Sequence, residues 1–384
     1  MPFGSWPYLV KWRAQESQRG KWRDFPSHEF GHFHGGDTKL GPWIYKTRAA
    51  IGRTLEGLAE CSSLLQKPFL WYGKAFLRMT HAVSRRQEFT ADTLAARIVG
   101  SRPLIEGLKL TYGAAYAFDA YWLNEVAPVL RYGFHPPLAE GFRRYLASPR
   151  IAAAISTSLD CELAEGETNP YDTHPPLRAR IAALEPQSDR ETLEPDLPAM
   201  SLLGGIPRLE TQLINTISAE PLAQTSPLVA WDDVGRKIWA PTWEAYAGEY
   251  ATVLSGITPD TLPHLARNLD PFSERLRESD GADLAAEERR KQASATLGVA
   301  LAVALSRNGW ELHVFPGEDA VCARTGTLIK PFDIVPKLAS GELTAEAWQD
   351  FSVVAGIADL DFGGETIMPH EASSDQSALL AVDH

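Results

Sequence analysis

His28, Glu29 and His32 stand in the order His-Glu-x-x-His. Residues four apart on a helix lie one turn apart on one face, so the two imidazoles can converge on one ion, and such nitrogen ligands suit zinc. Glu29, next to the first histidine, would project toward a metal-bound water and accept its proton. A third protein ligand has to come from elsewhere. In the extended spacing His-Glu-x-x-His-x-x-Gly-x-x-His it would be residue 38; Gly35 fits that pattern, but position 38 is Thr38. His34, two after His32, points away from the same helix face, and Gly35-Gly36 is expected to end the helix beside it.

The stretch SRRQEFTAD, residues 84–92, offers the missing group. Glu88 and Asp92 are also four apart in a segment of helical pattern. One carboxylate can bind the ion while the other, a turn away, takes a hydrogen bond from the outer nitrogen of a ligand histidine. His81, seven before Glu88, falls on nearly the same face and is expected at the surface or in a supporting place.

Farther on, THPPLRARIAAL at 173–184 follows in the same order as the first two motifs. HEFGH, then SRRQEFTAD, then this His-Pro stretch resemble the zinc metallopeptidases that include HtpX and the CAAX prenyl proteases, which are gluzincins. The resemblance covers about residues 27–186. It implies Zn2+ as cofactor with His28, His32 and Glu88 as ligands, Glu29 as general base, Asp92 as the carboxylate behind a ligand histidine, and a protein or peptide substrate. It also singles out His174, either as a donor to the oxyanion or as a group shaping the substrate site, against a bland role in fixing the turn before two prolines. Arg180 is expected to be a structural anchor through a salt bridge. The second His-Pro-Pro, at His135, lacks the Arg-Ile that follows and is expected to be a structural turn.

Relatives usually carry a substantial stretch before the first motif, with an edge strand that pairs with extended substrate and often membrane spans. Here 27 residues precede His28, and Pro26 confines the helix start. The expectation is an N-terminally shortened form of a longer, membrane-anchored protease. A chain lacking the edge strand could hold zinc and cleave poorly, so a zinc-binding, weakly active scaffold with a partner-binding C-terminal region is the competing expectation.

The elements that must position these residues read mainly as helices. Residues 48–66 place Ile51, Leu55, Leu58 and Leu64 at helical spacing, and 69–99 continues as helix with a break expected near the acidic pair. Gly100 followed by Pro103 is a stop. The aromatic, alanine-rich run 112–134 reads as core packing rather than a cofactor box. Beyond the polar stretch 188–201 come further helices. WELHVFP and AVCARTGTLIKPF look like short strands, and Thr344 is expected to cap a helix bearing Trp348 and Phe351.

The expected fold is therefore α+β and mainly helical. An irregular segment, 1–27, precedes a zincin-like metallopeptidase domain, 28–187; a linker, 188–201, leads to a C-terminal helical and small α+β region, 202–364, and a disordered tail, 365–384.

Composition limits the remaining options. With 37 Lys and Arg against 49 Asp and Glu, the net charge of -12 argues against nucleic acid as a partner. The balance is uneven, about +8 over residues 1–110, so the basic part either docks on the acidic remainder or faces an anionic membrane surface. The richest apolar run, TLGVALAVAL at 296–305, is half the length a membrane helix needs, and the N-terminus does not read as a secretory signal. Cys61, Cys161 and Cys322 have no paired spacing and read as buried thiols of a reducing compartment. The expected location is the cytoplasm or the cytoplasmic face of a membrane.

Overall fold

A computed structural model describes residues 28–32, 41–61, 63–188, 204–217, 226–280 and 284–364. Residues 1–27 and 365–384, most of the expected linker, and His34 with the expected stop at Gly35-Gly36 lie outside them. The chain divides at Val229/Ala230 into two compact units, with Pro316–Glu318 grouped with the first. This differs from the expected division near 188–201, and the reason lies in one helix. Ile206–Ile217 belongs to the first unit, where Glu210 Oε1 accepts a hydrogen bond from Ala139 N at 2.9 Å.

The first unit is built from helices. A helical turn, α1, occupies 28–32. It is followed by α2 (Gly41–Cys61) and α3 (Ser63–Val99), which pack along one another. α3 runs 37 residues without the break expected near Glu88 and Asp92. Its only proline, Pro68, lies near the start, and nothing around the acidic pair removes a backbone donor. Gly100, at φ 94°, then turns the chain into α4 (Ser101–Tyr121), in a conformation that a side chain would oppose.

α4 continues through a π turn, Trp122–Val126, into Ala127–Arg131. Much of the aromatic run is core packing, as its composition implied, while Tyr116, Leu123 and Tyr132 are exposed. Phe118 and Tyr121 meet Phe142 of α5 (Leu138–Ala147) at ring-centre distances of 5.4 and 5.1 Å, and the buried Tyr121 hydroxyl donates to Leu138 O. α6 (Pro149–Glu165) and α7 (Leu177–Leu184) both pack on α4. α7 also reaches α3, where Leu184 closes a core with Ala95, Ala96, Val99 and Leu104. That contact fixes where Arg180 points. His135 makes a backbone bridge with Leu228, just after the turn at 132–133 and not in it.

The second unit is centred on the helix Ala286–Arg307. The apolar run 296–305 is buried on every face, which explains why a stretch too short to span a membrane is so hydrophobic. Three antiparallel strands lie in the order β1 (Glu311–His313), β2 (Val321–Arg324), β3 (Thr327–Ile329). Their register pairs Leu312 with Cys322 and Cys322 with Ile329, which puts all three on the buried side. Thr325 and Gly326, both at positive φ, form the tight turn that suits the twist of β2 and β3. Thr344 caps the helix Ala345–Val354 by accepting from Ala347 N. The fold is thus α+β and mainly helical.

Two cysteine readings need correction or refinement. Cys161 is exposed on α6 rather than buried, because α6 presents that side outward; Cys322 is buried, and burial pushes its thiol up to about 12. Among the described residues no helix is long and apolar enough to cross a membrane.

Candidate active site

Two short pieces of helix meet at the site. In α1 the i, i+4 spacing puts His28 and His32 on one side, and Gly31 lies against α3. A Cβ at Gly31 would sit 2.8 Å from Ala91 Cα and 3.0 Å from Ala91 O, so only glycine lets the turn come this close to the backbone. Ala91 is one residue from Asp92 and three from Glu88, so the contact sets the histidines over both carboxylates.

The resulting distances are short and mutual. His28 Nε2 is 3.2 Å from His32 Nε2 and 3.3 Å from Glu88 Oε2, and His32 Nε2 is 3.4 Å from Glu88 Oε1. The two distances to Glu88 involve its two different oxygens; taking one ligand atom from each residue, all lie within 4.8 Å of one another, so the three residues could hold one metal. Among the described residues they are the group whose ligand atoms converge in this way. Glu88 Oε2 is buried with no hydrogen-bond partner, and two acceptor-capable nitrogens face the same space. Buried polar atoms left in this state favour a cation between them.

Behind this group Asp92, 1% exposed, brings Oδ1 to 2.9 Å from His28 Nδ1, off the ideal hydrogen-bond line. Arg180 of α7 grips the same carboxylate with two hydrogen bonds, Nη2 to Oδ1 at 2.6 Å and Nε to Oδ2 at 2.8 Å, and its Nη1 lies 3.4 Å from Glu88 Oε2. Such planar two-point pairing suits a guanidinium held in place by packing.

The charges follow from these contacts. Burial pushes Glu88 up, but the His174, His28 and His32 side chains and the Arg180 charge outweigh it and hold the carboxyl well below the usual range. Asp92 is held low in the same sense, burial being overcome by Arg180 and His28. Burial alone would lower His28, yet Asp92 and Glu88 leave it raised.

His174 sits on the loop before α7, half exposed, with Nδ1 3.3 Å from Glu88 Oε1. Its backbone N–H donates to Asp172 Oδ1, and Leu177 N donates to Glu162 Oε1, so the Pro175-Pro176 entry is tied at both ends. Glu29 lines the same cleft as His28 and His32. His81 does not line it and is buried on α3 rather than at the surface, because the helix turns that side inward.

Sequence reasoning missed two residues here. Gly31 carried no signal beyond being small. Arg85, one turn before Glu88, donates from Nη1 to Asp172 O at 2.6 Å and lies 3.3 and 3.4 Å from Pro170 O and Asn169 O, which ties the loop of His174 to α3. Its signal was its place in SRRQEFTAD, read only for the acids.

Residues 27–188 match the family model described as peptidase family M48. The likeness to that family is confined to this segment, under half of the chain. The match spans every site residue from His28 to Arg180. No curated protein and no solved structure matches the chain.

The matched segment gives Gly31 a testable place. Gly31→Ala is expected to push α1 off Ala91 and weaken any metal binding by His28, His32 and Glu88 about tenfold or more, whereas Phe30→Ala, at an exposed neighbour, leaves it unchanged. Titration against a chromophoric chelator reads both; equal affinity in Gly31→Ala and wild type would dismiss the packing argument.

Proposed function

We propose that this chain is a zinc-dependent metalloendopeptidase that hydrolyses protein or peptide substrates, with Glu29 as general base. The reading rests on one observation: His28, His32 and Glu88 each offer a ligand atom within 4.8 Å of the others in a cleft that Glu29 also lines. The match of residues 27–188 to the model of peptidase family M48 supports the reaction class. Bound zinc would polarise a peptide carbonyl and bring the pKa of water to about 7.

The protein's own groups do the rest. Glu29 takes the proton of the attacking water and returns it to the leaving amine. Asp92 holds His28 by Nδ1, which keeps Nε2 free to face the ion. Arg180 neutralises Asp92 and fixes its orientation. Arg85 holds the loop of His174, and His174, half exposed in the cleft, supplies a donor for the oxygen of the scissile carbonyl. Action at the cytoplasmic side, in solution or at a membrane surface, is part of the same proposal.

Metal analysis tests it directly. The chain is expected to carry one zinc, to lose peptide hydrolysis on chelation and to regain it with added zinc. A chain that binds no stoichiometric metal would defeat the proposal; zinc retained without hydrolysis of any peptide would leave a scaffold.

A further inference from the structure

α3 carries two apolar faces, and among the described residues only one of them is covered. Gly73, Phe76 and Thr80, three and four apart, are buried. A Cβ at Gly73 would stand 3.0 Å from Ile51 Cγ2, so this face lies on α2. One such stripe is what a helix of a globular protein needs. The second stripe runs along the outward side. Tyr72, Met79 and Val83, at spacings of seven and four, form a row with Trp71 beside it, and all four are exposed, Trp71 at 74% and Met79 at 65%. From Tyr72 to Val83 the row extends about 16 Å at the helical rise.

Its surroundings carry charge of one sign. Residues 61–87 contain five Lys or Arg and no Asp or Glu, in a chain whose net charge is -12. Lys67, Lys74 and Arg78, again seven and four apart, follow one edge of the row, and Arg86 stands at its end, three residues past Val83. The Arg78 guanidinium lies over the Tyr171 ring at 5.3 Å. Lys67, Lys74 and Arg86 are exposed, with no acidic partner among the described residues.

The residue types decide between the kinds of partner that could cover such a face. Protein interfaces are enriched in aromatic residues but depleted of lysine. Tryptophan and tyrosine beside long basic side chains suit the headgroup layer of a bilayer, where rings sit at the boundary and amines reach phosphate while their stems lie on apolar surface. A flank without carboxylates completes the match, because an anionic membrane attracts cations and repels acids. Among the described residues no helix is long and apolar enough to cross a membrane, and the outward row covers one side of α3 alone, a pattern for lying on the surface.

We propose that the outward face of α3 is a docking surface for a bilayer containing anionic lipid. Trp71, Tyr72, Met79 and Val83 enter the headgroup boundary, and Lys67, Lys74 and Arg86 face the lipid phosphates. None of these side chains belongs to the metal group or lines its cleft, so the proposal stands apart from the peptidase reading. Val83 is five residues before Glu88 on the same helix, so docking brings the metal group close to the bilayer.

Flotation of the full chain with vesicles tests this. The chain is expected to float with vesicles of mixed phosphatidylcholine and phosphatidylserine, to bind phosphatidylcholine alone about tenfold or more weakly, and to be released as salt rises. Trp71→Ser combined with Met79→Ser should weaken binding to the mixed vesicles about tenfold or more. Lys67→Glu combined with Lys74→Glu should weaken it about as much. Both pairs change exposed side chains, and an unfolding midpoint equal to that of the wild type shows that the fold is kept.

No binding to the mixed vesicles, or equal binding to phosphatidylcholine alone, would overturn the proposal. Binding that either paired variant retains in full would place the contact elsewhere and overturn it too. A concentration-dependent dimer that Trp71→Ser with Met79→Ser abolishes, without vesicle binding, would give the face to a second copy of the chain instead.

Discussion

Glu29→Gln is expected to keep its zinc and lose peptide hydrolysis, with kcat lower by about 10³-fold, the middle of the range for a positioned general base. The amide has nearly the volume of the carboxylate, and Glu29 is not one of the three residues whose ligand atoms converge, so nothing in the metal group is disturbed. What changes is one property: an amide cannot take a proton from water. Zinc content by mass spectrometry and steady-state hydrolysis of one peptide measure both halves. Equal turnover in wild type and Glu29→Gln would remove the base from Glu29, and loss of zinc would mean that it supports the ligands instead.

The site residues were legible because metal chemistry imposes spacing on a helix. His28 and His32, then Glu88 and Asp92, each lie four apart, and a 3.6-residue turn is enough to put each pair on one face. The resemblance suggested that Arg180 anchors through a salt bridge, but that its partner is Asp92, 88 residues away, was not foreseen, since no local rule links α7 to α3.

Other features depend on packing that a single sequence does not encode locally. Gly31 matters because of Ala91, and neither residue reveals the other. The helix Ile206–Ile217 resembles any amphipathic helix after a polar stretch, and its partner Ala139 lies 71 residues back, so its packing with the first unit could not be read locally. Cys161 was misread for the same reason, since cysteine composition cannot say which side of α6 faces out. By contrast, the short strands and the Thr344 cap rest on local chemistry and were foreseen.

Arg180→Met separates the two tasks of the buried arginine. The substitution keeps much of the side chain's volume and removes its charge, which strands Asp92, 1% exposed, beside Glu88. Breaking a buried pair from one side costs about 3–5 kcal/mol, and the unfolding transition of the first unit in denaturant should move by that amount. Zinc affinity should fall as well, about 10- to 100-fold, because Asp92 no longer has a fixed orientation from which to hold His28. Pairing the change with Asp92→Leu distinguishes the causes. The double variant has no stranded charge at that position, so it should recover much of the stability, but His28 then has no carboxylate at Nδ1 and zinc affinity should stay low. Zinc affinity recovering together with stability would mean that Arg180 and Asp92 only brace the fold. An Arg180→Met variant as stable as the wild type would mean that the pair is not buried as its 2.6 and 2.8 Å contacts imply.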